Sequence, residues 1–149
     1  MSDRVTIDVN DGIADVRLNR PDKMNALDGA MFAALVEAGD VLAVDSSVRV
    51  VVLSGEGRGF CAGLDVGAFL GGGEGDASSF SVLGGRAEGR IANVAQQVAY
   101  TWTELPVPVI AAVHGVALGG GIQIALGADI RIVAPDAKLA QEEIFGPVL

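Results

Sequence analysis

Apolar and polar residues alternate in two short stretches near the start of the chain, Val5-Thr6-Ile7-Asp8-Val9 and Ile13-Ala14-Asp15-Val16-Arg17-Leu18. A period of two marks a strand with one buried face. Asn10-Asp11-Gly12 lies between them. These residue types tolerate the positive φ of a tight turn, so the pair predicts a hairpin. The period then changes. Residues 27–42 read as a helix whose stripe is Met31, Leu35, Ala38 and Leu42. Asp28 stands where a cap belongs, and Leu27 and Phe32 are spaced as a hydrophobic staple. Val48-Arg49-Val50-Val51-Val52-Leu53 is nearly all β-branched, which predicts a strand covered on both faces, as in parallel sheets. Further on, the pattern predicts a helix over 86–102 stopped by Pro106 and Pro108, and then a buried strand over 107–113. A short helix over 122–126 and a strand over 130–133 follow. Glycine-rich, polar residues 71–79 read as a mobile surface loop. Strands alternating with helices predict an α/β fold with a largely parallel sheet.

Composition narrows the function classes. The 149 residues suit a single domain over 1–149 that can bury a core. Half the residues are hydrophobic and 19% are charged, which excludes an extended disordered chain. Ten Lys+Arg against 19 Asp+Glu give a net charge of −9, which argues against a nucleic-acid or anionic-membrane partner. One cysteine excludes an internal disulfide and a Cys-based zinc site, and one histidine excludes His-pair motifs, so no metal is expected. The longest apolar run, 107–118, is too short to span a bilayer and carries His114. The N-terminus has no secretory pattern, so a reduced, cytoplasmic setting is expected.

Three segments carry candidate chemistry. Gly59-Phe60-Cys61-Ala62-Gly63-Leu64-Asp65 follows a predicted strand, where α/β proteins place ligands. Gly115-Val116-Ala117-Leu118-Gly119-Gly120-Gly121-Ile122-Gln123 leads from a strand into a helix start. Gln141-Glu142-Glu143 comes soon after the strand over 130–133. Glycines without Cβ atoms let a ligand approach the backbone, and N–H groups at a helix start favour an anion or a carbonyl oxygen gaining charge. Taken alone, three glycines favour plain helix–strand packing. Cys61 reads as a small buried residue and His114 as a hydrogen-bonded structural histidine. Asp65 reads as the cap of a short helix over 66–70. Glu142 and Glu143 alone would be a solvated acidic pair, and Trp102 and Phe32 read as core or interface.

In order along the chain, Leu18-Asn19-Arg20-Pro21, Lys23-Met24-Asn25-Ala26-Leu27, Phe60-Cys61-Ala62-Gly63-Leu64-Asp65, Ala117-Leu118-Gly119-Gly120-Gly121, Ala128-Asp129-Ile130-Arg131 and Ala137-Lys138 resemble the crotonase family of enoyl-CoA hydratases and isomerases. The resemblance implies a ββα-spiral fold that binds acyl-CoA thioesters. Coenzyme A then arrives as part of the substrate and no separate cofactor is needed. It also implies that the N–H groups of Leu64 and Gly120 grip the thioester oxygen and stabilise an enolate. Losing one such donor costs about 3 kcal/mol in barrier. Lys23, Met24, Ala26, Ala62, Leu64, Asp65, Val66 and Gly67, with Gly120, fall on positions that line the path of the coenzyme.

The acid/base positions depart from the family pattern. Gln123 stands where hydratases carry their first glutamate, and an amide cannot serve as a conventional general base. Glu143 falls on the second. One carboxylate suits a shuttle that removes a proton and returns it elsewhere, so isomerase-like chemistry stands beside hydration. A non-catalytic remnant or interaction protein of the same fold is the alternative reading. The resemblance covers the amino-terminal part of the family domain. Members continue past this point with helices that close the acyl pocket and make the trimer interface. Exposed apolar surface and a homo-oligomer, trimer or hexamer, are the corresponding expectations.

Overall fold

The computed structural model describes residues 3–70, 84–86 and 88–141. The two alternating stretches form β1 (Val5–Asn10) and β2 (Ile13–Leu18), paired antiparallel. Asp11 and Gly12 make the turn with φ of 50° and 82°. The β-branched run supplies β3 (Val50–Gly55), which lies parallel to β2. Its inward residues Val51 and Leu53 are fully buried, while Val50 and Val52 are half-buried, so the expectation of two covered faces holds for one. β3 begins later than the valine run because Val48 closes a turn, its N–H donating to the carbonyl of Asp45 at 3.2 Å.

α1 (Gly29–Val44) joins β2 to β3. Asp28 caps it, accepting from the Met31 N–H at 2.8 Å, and Met31, Leu35, Ala38 and Leu42 are all buried. Leu27 is not in the helix. It is extended and bridges Leu64 in parallel, with its N–H on the Gly63 carbonyl at 2.7 Å. α2 (Val66–Leu70) is the short helix expected after Asp65.

The helix predicted over 86–102 is confined to α3 (Val94–Thr103). Asn93 and Gln96 close a reciprocal capping box at its start, which fixes the boundary. Upstream, Gly89 turns with φ of 80° and Arg90 is drawn away to Asp40 at 2.6 Å. Residues 71–79, expected to be a loop, lie outside the described residues.

β4 (Val109–Val113), β5 (Val116–Leu118), α4 (Gly120–Leu126), β6 (Ile130–Val133) and β7 (Lys138–Ala140) complete the described chain. The main sheet runs β1-β2-β3-β4-β6, and β5 and β7 form a second, two-stranded sheet. Every pairing except the hairpin is parallel. α1 and α3 cross where Gly39 meets the Thr101 side chain, leaving no room for a Cβ. Leu18, Leu35, Leu53, Phe60 and Trp102 fill the core between sheet and helices. β6 differs from its neighbours, since all four of its residues are exposed. Among the described residues no helix is long and apolar enough to cross a membrane.

Candidate active site

The site begins at the end of β2. After a 3-10 turn over Pro21–Lys23, Met24 and Asn25 both adopt left-handed conformations, with φ of 48° and 57°. Two such residues in succession cost energy, and Asn25 is the side chain that holds them. It is fully buried. Its Nδ2 donates to the carbonyls of Glu56 and Gly59, each at 2.9 Å, and its Oδ1 accepts from the Arg20 N–H at 2.7 Å. The Cys61 thiol donates to the Asn25 carbonyl at 3.2 Å, and the Ala62 N–H to that of Met24 at 2.9 Å. Residues 24–27 and 61–65 therefore lie side by side.

The same 61–65 segment is tied on its other side to β5. The Cys61 N–H donates to Val116 at 3.0 Å and the Leu118 N–H to Cys61 at 3.0 Å. β5 runs directly into the glycine triplet. Gly119 turns with φ of 50°, its N–H donating to the carbonyl of Ala140 in β7 at 2.9 Å. The triplet divides its labour. A Cβ on Gly121 would overlap the Cys61 carbonyl, so that glycine serves packing, as the plainer reading expects. A Cβ on Gly120 would lie 2.7 Å from Leu27 Cδ1, on the wall of a cavity.

That cavity has a volume of about 130 Å³ and is lined by Leu27, Phe32, Leu64, Ala95, Val98, Gly120 and Gln123. Leu64 and Gly120, from turns 56 positions apart in sequence, thus meet at one space. The exposed Gln123 also borders an open groove of about 450 Å³ between α3 and α4, with Gln96, Ala99, Tyr100 and Leu126. Phe32 meets Phe69 of α2 edge-on, ring centres 6.3 Å apart.

Arg20 crosses beneath this wall. Its Nη1 donates to Asp65 Oδ2 at 2.7 Å and to the Ala26 carbonyl at 3.0 Å, and its Nε is 3.5 Å from Asp28 Oδ2. Asp65 caps α2, accepting from the Ala68 N–H at 3.1 Å. Burial would raise the Asp65 carboxyl. The Arg20 hydrogen bond, the Ala68 N–H and the charges of Arg20 and Lys23 outweigh it and hold the group below the ordinary carboxylate range.

The residues expected along the coenzyme path are brought together. Met24, Ala26 and Ala62 are adjacent and half-buried, Lys23 is exposed beside them, and Asp65, Val66 and Gly67 open α2. Glu143 lies outside the described residues. His114 Nε2 donates to the Gly57 carbonyl at 2.9 Å and Cys61 is fully buried, both in the structural roles expected of them. Among the described residues no cluster of metal-ligating side chains occurs. Arg20 and Asn25 entered the sequence reading only as members of longer motifs, with no role of their own, and Ala95 and Val98 were not singled out. An asparagine between Met24 and Ala26, tolerant of left-handed backbone, was the one available signal.

A parallel-dominated sheet whose strand-end turns converge on one small cavity defines an α/β protein, and the solved structures it superimposes on give it the crotonase fold. The chain belongs to the enoyl-CoA hydratase/isomerase family, whose profile matches residues 8–146. It is 38% identical over 130 residues to 1,2-epoxyphenylacetyl-CoA isomerase of Escherichia coli, covering 87% of this chain and 47% of that protein. It is 35% identical over 141 residues to (E)-benzylidenesuccinyl-CoA hydratase of Thauera aromatica, covering 94% and 50%. Among solved structures, an enoyl-CoA hydratase from Mycobacterium smegmatis superimposes with a TM-score of 0.76 at 35% identity, over 92% of this chain and 50% of the other. A monofunctional enoyl-CoA isomerase from the same genus and species gives a TM-score of 0.69 at 34% identity, over 93% and 53%. The chain spans about half the length of the curated relatives it matches.

Proposed function

We propose that the protein binds an acyl-CoA thioester and stabilises its enolate with the backbone N–H groups of Leu64 and Gly120. The observation that carries this reading is the shared cavity, which Leu64 enters from one turn and Gly120 from another, with Gln123 at its mouth. Two amide donors fixed around a thioester oxygen stabilise the negative charge it gains when a neighbouring carbon loses a proton. The coenzyme portion follows Lys23, Met24, Ala26, Ala62 and the start of α2, and the acyl portion passes Gln123 into the α3–α4 groove. Nothing beyond the coenzyme carried by the substrate is needed.

Glu143 is the single acid/base in this reading. Its carboxylate takes a proton from one carbon of an enoyl thioester, the electron pair delocalises onto the thioester oxygen, and the proton returns at a different carbon. The double bond moves and no water is consumed. Gln123 orients substrate or water by hydrogen bonding and does not exchange a proton. Replacing Glu143 by Gln is expected to abolish turnover of an enoyl-CoA while leaving calorimetric binding of the saturated thioester intact; unchanged turnover removes Glu143 from the mechanism. The amide at Gln123 also favours a second reading, a binding protein of the same fold without turnover. Binding of both saturated and enoyl thioesters with no change in enoyl absorbance would identify it.

A further inference from the structure

We propose that Arg20 is a positioning residue that sets the Leu64 side of the cavity by holding Asp28 and Asp65 at once; this rests on the acyl-thioester reading above. The Arg20 side chain is only 11% exposed. One nitrogen of its guanidinium meets Asp65 at 2.7 Å, and Nε faces Asp28 at 3.5 Å. Each of these carboxylates uses its other oxygen to cap a helix, Asp28 at Met31 and Asp65 at Ala68. One planar cation therefore spans the starts of α1 and α2.

The residue before each carboxylate is a wall of the cavity. Leu27 precedes Asp28, Leu64 precedes Asp65, and both line the space that Gly120 completes. Leu27 and Leu64 are themselves paired through the Leu27 N–H on Gly63 at 2.7 Å and the Asp65 N–H on Leu27 at 2.9 Å. Arg20 adds a third tie through the Ala26 carbonyl at 3.0 Å. The Leu64 N–H belongs to the Gly63–Leu64 peptide, whose carbonyl takes the Leu27 N–H, and the turn that carries it is fixed at its Asp65 end by a side chain that does not line the cavity. Asp28 keeps a second partner in Arg4 at 2.7 Å. Asp65 faces Arg20 and, at longer range, the charge of Lys23. Loss of Arg20 therefore loosens the Asp65 end of the turn that carries the Leu64 N–H more than it loosens α1. A lysine keeps the charge without the fork that reaches both carboxylates. The turn that carries Gly120 is held by other bonds, the Leu118 N–H on Cys61 and the Gly119 N–H on Ala140 of β7, and neither involves Arg20.

Backbone amide NMR of the full chain tests the inference, with butanoyl-CoA as probe and free coenzyme A as control. In the wild type, the Leu64 and Gly120 resonances are expected to move with butanoyl-CoA and not with coenzyme A. In Arg20→Gln the Gly120 movement is expected to persist and the Leu64 movement to be lost, with Arg20→Lys behaving alike. Arg17→Gln, at an exposed ion pair with Asp15 and Glu56, is expected to retain both. Retention of the Leu64 movement in either Arg20 variant overturns the clamp and leaves the acyl-thioester reading standing. Loss at both amides in a folded variant also overturns it, since the action is then not local. No movement at either amide in the wild type overturns both readings. If Arg20→Gln does not fold, Asp65→Asn decides in its place. It keeps the capping oxygen and removes the charge, and the same selective loss at Leu64 is required.

Discussion

Two neighbouring glycines separate fold from chemistry at the scale of single residues. Gly121 has the Cys61 carbonyl where a Cβ would sit, and backbone cannot move aside cheaply. Gly121→Ala is expected to lose about 1–3 kcal/mol of stability, the usual cost of overpacking, in a urea titration. Gly120 has only the tip of Leu27 in the way, at 2.7 Å. Gly120→Ala is expected to unfold close to the wild type and to bind butanoyl-CoA more weakly in calorimetry, because the added methyl group occupies the cavity. Equal loss of stability in both variants would return the whole triplet to a packing role. Asn25 makes a similar point from the polar side. Its side chain satisfies the nearby Arg20 N–H and two distant carbonyls, those of Glu56 and Gly59, and no local spacing announces the distant pair.

Among the elements, α3 holds the most consequence for its length. It lends Ala95 and Val98 to the cavity and Ala99 and Tyr100 to the groove beside it. Its first turn depends on the Asn93–Gln96 capping box. Asn93→Ala is expected to cost about 1 kcal/mol by thermal or urea unfolding; no change would mean that tertiary packing alone holds the helix start. The sequence pattern located α1, its cap and the hairpin, because each rests on contacts a few residues apart. It overran α3 by eight residues at the N-terminal side, from 94 back to 86, since nothing local in that polar stretch announces the pull of Asp40 on Arg90. β5 and β7 carry three residues each, too few to show a period of two. The glycine triplet and the 61–65 turn were readable as candidate chemistry. Their convergence, and the roles of Arg20 and Asn25, depend on bonds that span tens of residues and leave no mark in the spacing.

Across the whole molecule, apolar exposure concentrates toward the end of the described chain. Ile130, Ile132 and Val133 of β6 are 52%, 64% and 41% exposed, and Leu139 of β7 is 46% exposed. β6 also forms one edge of the main sheet, and an edge strand with apolar side chains invites pairing with another chain. Ile132→Glu is expected to reduce self-association in light scattering with a stability change within about 0.5 kcal/mol, as for most surface substitutions. Association that is indifferent to this charge would place the contact elsewhere. β7 has a consequence of a different kind. It closes over the turn at Gly119 through Ala140, while Lys138 bonds back to Gly115. During synthesis on the ribosome these latches are among the last described residues to emerge. The pocket's glycine side is therefore fastened late, after the hairpin and α1 have had time to settle.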